Sequence, residues 1–319
     1  MSNTPERNIA CLVDTHKFNI SSLKANLQGE GILVDQYDDI WLLRFILSAK
    51  GDIIKAEKNI RLTLKWRAEK KLWLQAAKEG LPPPTPNFEL FAKNIASDVY
   101  GRTVDGDMIN IVRAGFANPR AVLNIASVEE TVDYLMYCRE LLFLRCDEET
   151  RRTGRLCKAV NVFDLNSFSL SKVHAKFGQV AAKSSKLSEI CYPQVIDTQV
   201  IINMSGFLMA FVRLLRGLLS SGSQAKLKLC PGITLQDDIS KCPFVRMRVA
   251  LSSLPEFLGG TFSQPCSKVV LNQDQGDRSQ EDLKCNMIQS ARSEGQPEGD
   301  DSSPLDDFKS LKTISTGPC

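Results

Sequence analysis

Residues 191–219 constrain the fold of this chain more than any other part of its sequence. The segment begins with a β-branched run and continues into a helix-like stretch, residues 207–219, whose only charged residues are Arg213 and Arg216. Polar residues interrupt it, so it falls short of the roughly 18 consecutive apolar residues that a membrane span needs. Two interpretations stay open: a helix buried in a large core, or a helix with one face over an apolar cavity and the other towards lipid or solvent.

The first 80 residues are predicted to be helical. Residues 38–51 show apolar side chains at helical spacing, and Asp52 is placed to cap a second helix that runs from Ile53 to about Trp73. The proline-rich run at 81–86 ends this region, because proline lacks an amide donor and restricts the residue before it. We therefore predict an N-terminal helical lobe over residues 1–80.

Strand-like and helix-like patterns alternate beyond the prolines. The spacing of Ser127 and Glu130 is that of a capping box, which opens a long helix with five apolar residues on one face: Val128, Val132, Leu135, Leu142 and Cys146. A second helix is predicted from 171 to about 189. The strand candidates are residues 108–112, 157–164, 197–203 and 225–230. The alternation predicts an α/β domain over residues 87–263 with a mixed, largely parallel sheet.

The last segment, residues 264–319, changes character. It is polar and poor in aromatic residues, and it holds ten Asp or Glu against six Lys or Arg. Such a composition cannot bury enough apolar surface to offset the loss of chain entropy on folding. We predict a disordered acidic tail that could recruit a protein partner, attached to a more basic body.

Charge and cysteine content indicate the compartment and the class of partner. The net charge of +3 is too small to indicate a nucleic-acid partner, whereas a mildly basic body suits an anionic membrane surface. The N-terminal sequence lacks an apolar core of signal-peptide length, and ten cysteines without export predict reduced thiols. The expectation is a cytoplasmic protein that associates peripherally with membranes and binds no nucleic acid.

Sequence motifs for catalysis and metal binding are not found. The chain contains no G-x-S-x-G, H-E-x-x-H or G-x-x-x-x-G-K-[ST] pattern. Two histidines and no C-x-x-C pair leave no recognisable zinc ligand set. We therefore expect neither a catalytic site nor a metal site, and an enzyme acting on lipids is the weakest of the functional hypotheses.

Five motifs, in one order between residues 38 and 261, resemble the CRAL-TRIO lipid-binding family of phosphatidylinositol-transfer proteins and retinoid or tocopherol carriers. Residues 38–67 resemble its N-terminal helical signature, which runs from an acidic pair through L-L-R-F to W-R. The other four motifs begin at Tyr100, Val162, Tyr192 and Leu254 and read Y-G-R-T-V, V-F-D-L, Y-P-Q-V-I followed by I-I-N, and L-P-E-F-L-G-G-T.

The resemblance implies a sheet that forms the floor of a deep apolar pocket, closed by a gate helix that moves at a membrane to admit or release one lipid. Arg213 and Arg216 would then contact anionic headgroups of that membrane. The ligand would be a phospholipid such as phosphatidylinositol, or another lipid, and no other cofactor is expected. The gate residues implied are Phe207, Met209, Phe211, Leu214, Leu215 and Leu218.

The resemblance also places the polar end of the pocket at Tyr192, Gln194, Ser223 and Lys226. The lysine that lies beside the inositol phosphate in the transfer proteins is present as Lys226. The glutamate of the family's Y-P-E motif is Gln194, however, so we expect a different headgroup preference. The main alternative function is a lipid-sensing regulatory or scaffold module without transfer activity.

Overall fold

The computed structural model describes residues 7–29, 37–95, 97–204, 206–230 and 249–262, apart from the side chains of Phe207, Phe211, Leu215 and Leu251. All of these residues belong to one compact unit. The predicted acidic tail, residues 264–319, lies outside the described residues. That tail, and the division into a lobe and a domain, stay predictions.

Helices form the N-terminal part of the described chain and then alternate with strands. The helices are α1 (Ile9–Thr15), α2 (Lys17–Gly29), α3 (Asp39–Ser48), α4 (Ile53–Glu69), α5 (Lys71–Glu79), α6 (Phe88–Asn94), α7 (Pro119–Leu123), α8 (Val128–Thr153), α9 (Phe177–Cys191), α10 (Gly206–Arg216) and α11 (Ser221–Lys226). As predicted, the proline-rich run follows the end of a helix, α5; helix α6, which comes after it, was not predicted.

The described strands form one five-stranded sheet, in the order β1 to β5. Strand β1 is antiparallel to β2, and each later neighbour is parallel, which confirms the mixed, largely parallel sheet. The strands are β1 (Ser97–Arg102), β2 (Met108–Val112), β3 (Ala159–Asp164), β4 (Ile196–Ile202) and β5 (Leu227–Leu229).

Side-chain caps set the starts of the helices. Asp52 Oδ1 accepts a hydrogen bond from the Lys55 amide at 3.0 Å where α4 begins, and Ser127 Oγ accepts one from the Glu130 amide at 3.0 Å where α8 begins. The Glu130 carboxylate does not complete the box with Ser127; it accepts a hydrogen bond from Asn87 Nδ2 at 2.9 Å. The long helix is thereby connected to the residue that precedes α6.

Several element boundaries differ from the predicted ones, by one or two residues in β3 and β4 and by more elsewhere. The helix predicted from Ile53 to about Trp73 is divided at Lys70 into α4 and α5. Helix α9 begins at Phe177, after a short 3-10 helix, Leu170–Lys172. The last strand, β5, is shorter than predicted. Helix α11, which Ser220 caps, ends at Lys226 and so includes the first two residues of the predicted strand.

Alternation along the strands gives the sheet two different faces, since successive side chains of a strand point to opposite sides. On one face, Ile109, Ile111, Val160 and Val162 pack in a closed apolar cluster that residues 249–258 complete. The residues between them point towards helices α8 and α9. The two helices and the sheet share a larger core with α2, α3 and α4.

The final motif makes a tight turn that needs its second glycine. A Cβ atom on Gly260 would lie 2.0 Å from the carbonyl oxygen of Leu254. The Phe262 amide donates to that same oxygen at 2.9 Å, which fixes the approach of the two backbones. Leu254 is fully buried in the closed cluster, so the turn holds the cover of that face in place.

Candidate functional site

A cavity of about 910 Å³ lies between the second face of the sheet and the helices that cover it. Its walls come mainly from α8 and α9, with further residues from α7, α11 and the strands. The apolar lining includes Leu135 and Leu142 of α8, Phe177 and Val180 of α9, and Phe163 of β3. Its size is near the upper end of the roughly 300–1,000 Å³ usual for small-molecule sites, and most of its lining is apolar.

The floor of the cavity carries a row of amide side chains. Asn110, Asn161 and Gln199 are direct neighbours in the pairing of β2, β3 and β4, and all three line the cavity. Asn110 Nδ2 donates to Asn161 Oδ1 at 3.1 Å, and Ser97 Oγ donates to Asn110 Oδ1 at 3.2 Å. Polar groups therefore cross the middle of the floor.

A cluster of serine hydroxyls lies where α9 meets the start of α11. Ser185 Oγ is 3.1 Å from Ser220 Oγ and 3.0 Å from Ser223 Oγ, and the Ser220 amide donates to Ser185 Oγ at 3.1 Å. Ser185 and Ser223 both line the cavity. The cluster gives this wall several hydrogen-bond donors and acceptors.

The structure brings all four predicted headgroup residues, Tyr192, Gln194, Ser223 and Lys226, to the lining of this one cavity. Gln194 has a φ of 61°, in the left-handed region. Burial lowers the pKa of Lys226, which the negative charges of Asp197 and Glu189 partly offset. The four residues are brought together as expected, and their binding role stays a prediction.

Tyr192 is almost wholly buried, and its hydroxyl interacts with the Glu140 carboxylate. Its ring makes an edge contact with Trp66, with centroids 5.9 Å apart. Burial raises the pKa of its phenol well above the ordinary value, and the negative charge of Glu140 adds to that effect. The hydroxyl is therefore protonated at neutral pH and can donate a hydrogen bond.

Arg139, on α8, also lines the cavity, a role that the sequence analysis did not predict. Its Nε atom is buried and has no hydrogen-bond partner in the described part of the chain. The signal was present in the sequence: Arg139 falls between Leu135 and Leu142 on the helix face that was assigned as apolar. The amides of the floor were also missed, although each interrupts a β-branched strand.

Helix α10 forms as predicted, but none of its described side chains lines the cavity. Met209 is partly buried against a separate cluster that contains Leu208 and Val212. Leu214 and Leu218 are exposed, and Leu218 follows the end of the helix. Phe207, Phe211 and Leu215 belong to the segment, and their side chains lie outside the described residues.

The buried face of α10 is thus formed by Leu208 and Val212, neither of which was a predicted gate residue. They pack with Leu165 and Met204, which follow the last residues of β3 and β4. Arg213 and Arg216 are exposed, one helical turn apart. The segment meets the described lining of the cavity only at Leu219, just before α11. A gate function for α10 stays a prediction.

No helix in the described ranges is long and apolar enough to cross a membrane. Over the same residues, histidine, cysteine, aspartate and glutamate side chains form no group that could hold a metal ion.

Comparison with known proteins gives a consistent result. Residues 95–260 match the family described as the CRAL/TRIO domain. The chain is 24% identical over 271 residues to Sec14 cytosolic factor of Schizosaccharomyces pombe. The matched region covers 82% of this chain and 88% of that protein. The crystal structure of Sfh5 has the same fold, with a TM-score of 0.54 at 14% identity, over 88% of this chain and 98% of that one.

Proposed function

The chain belongs to the CRAL/TRIO domain family and is a Sec14-like lipid-binding protein, and on that premise we propose that it carries one lipid between membranes. The observation that supports the proposal is the cavity of about 910 Å³ between the sheet and helices α8 and α9. Each methylene group that leaves water for such a cavity contributes about 0.8 kcal/mol. An acyl chain is therefore retained without any covalent bond.

In the proposed cycle the protein docks on an anionic membrane, takes up a phospholipid such as phosphatidylinositol, and closes. The arginines Arg213 and Arg216 contact lipid headgroups, since both are exposed on α10. Leu214, which is 56% exposed on the same helix, enters the interface. The helix is the moving gate, and the ligand's polar end lies near Lys226 and Gln194.

Vesicle transfer tests this cycle. We expect Leu214→Asp to slow the movement of a fluorescent phospholipid from donor to acceptor vesicles about tenfold, because a carboxylate is costly at the membrane interface. The amount of lipid bound to the purified protein should not change. Leu72→Asp is the matched control, since Leu72 is 67% exposed on α5, and it should transfer lipid at the wild-type rate.

A transfer rate that does not respond to Leu214→Asp would contradict the carrier cycle. If lipid still binds in that case, the result favours the sensing or scaffold function.

A further inference from the structure

Arg139 occupies a position that the pattern of its own helix assigns to an apolar residue. Val128, Val132, Leu135, Leu142 and Cys146 share one face of α8, and Arg139 completes their spacing of three and four residues. Leu135 and Leu142, the neighbours on either side, line the cavity together with Arg139. A guanidinium group therefore lies within an apolar wall.

The other arginines in the helical core have acidic partners. Arg67 forms a two-point ion pair with Glu140, at 3.0 and 3.1 Å, and Arg44 contacts Asp147 at 3.2 Å. Within the described ranges, no carboxylate forms an ion pair with Arg139, and its buried Nε has no acceptor. Because arginine stays charged at any physiological pH, it cannot relieve this cost by losing a proton.

A second cation, from another helix, lines the same cavity as Arg139. Lys226, at the end of α11, lines the same cavity, and the charge of Arg139 contributes to lowering its pKa. Asp197 and Glu189 partly balance the charge of Lys226. Within the described ranges, the positive charge of Arg139 is not matched in this way, and its buried Nε has no acceptor.

We propose that the ligand is an anionic lipid and that Arg139 binds its carboxylate or phosphate group inside the cavity. The inference rests on the proposed function and deepens it by assigning the chemical class of the lipid. A guanidinium group binds both anions through two parallel hydrogen bonds. Lys226 adds positive charge on the same side, and the apolar lining accepts the acyl chain.

Titration of three oleoyl lipids tests the proposal. Oleic acid offers a carboxylate, oleoyl lysophosphatidic acid a phosphate, and oleyl alcohol the same chain without charge. We expect the wild-type protein to bind at least one of the acids about ten- to hundredfold more tightly than the alcohol, as charge-assisted hydrogen bonds predict. Arg139→Met should reduce that ratio about tenfold, with the affinity for the alcohol unchanged.

Arg152→Met is the matched control, because Arg152 lies on the same helix but is exposed and paired with Glu149. It should keep the wild-type preference. Without lipid, Arg139→Met should unfold at the wild-type temperature or above it, since it removes an unpaired buried charge. A marked fall in that temperature would show that Arg139 has a structural partner and would overturn the proposal.

Two further outcomes would also overturn it: equal binding of the acids and the alcohol by the wild-type protein, or competition by excess inorganic phosphate as strong as that of the lipids. Failure of all three lipids to bind would instead contradict the proposed function itself. The two failures are therefore distinguishable.

Discussion

The two faces of the sheet are built from the same strands, yet one is filled and the other is hollow. Val160 and Val162 of β3 point into the closed cluster, where they are at most 2% exposed. Asn161, between them, points to the cavity and accepts a hydrogen bond from Asn110. Polar side chains in a sheet interior are costly unless they have hydrogen-bond partners. The hollow face, which carries such side chains, is therefore suited to binding a ligand, whereas the filled face contributes to stability.

The largest expected effect is on the filled face. Val162→Asn should lower the free energy of unfolding by about 3–5 kcal/mol, because it loses apolar burial and places an amide without a partner in a closed cluster. Denaturant unfolding measures this change. A loss below about 1 kcal/mol would show that the cluster is not closed and would remove the contrast between the faces.

Asn161→Val, one residue earlier, is the matched change on the hollow face. It removes one hydrogen bond and gains apolar burial, so the free energy of unfolding should change by no more than about 1 kcal/mol. The set of bound lipids should change instead, as seen by extraction and mass analysis. A destabilisation as large as that of Val162→Asn would mean that both faces are packed alike.

The smallest effect concerns Lys226 and pH. Burial holds its pKa in the folded protein below the ordinary value of 10.5, so between the two values the unfolded chain binds more protons. Wild-type stability therefore gains from this group as pH rises towards 10.5. Without lipid, Lys226→Met should be more stable than wild type at neutral pH, by up to about 1 kcal/mol, with the difference shrinking in alkaline buffer.

Other groups titrate in the same pH range. Their contribution to stability is the same in wild type and in Lys226→Met, so it cancels in the difference between the two proteins. Lys158, for example, has its pKa lowered to about 8 by burial. A difference between wild type and Lys226→Met that stays constant with pH would show that Lys226 is not desolvated in the cavity.

The sequence predicts the elements of this fold better than it predicts the cavity. Strand β2 was predicted with its observed bounds, and the caps of α4 and α8 form at Asp52 and Ser127. Strand β1 was missed because S-D-V-Y-G-R contains few β-branched residues. It is an edge strand, which pairs with a neighbour along one side only. Short helix α11 was missed because its serines and glycine also favour a turn.

The cavity could not be predicted from hydrophobicity, because a wall and a packed core require the same apolar residues. What distinguishes them is the polar exceptions. Arg139 on the apolar stripe of α8 and Asn110 and Asn161 in the middle of their strands are the residues that a filled core would exclude. For α10, the apolar pattern concealed which face is buried: Leu208 and Val212 pack inwards, whereas Leu214 is exposed.

The central claim is that the space between the sheet and helices α8 and α9 holds a lipid. Native mass spectrometry of the full-length protein, incubated with mixed phospholipid and fatty-acid vesicles, tests it most directly. We predict one lipid-sized mass addition per chain, released on denaturation, and its loss in Ala181→Trp, which places an indole ring from α9 in the cavity. Only the bare polypeptide mass in the wild-type protein, or an addition that Ala181→Trp leaves at full occupancy, would contradict the claim.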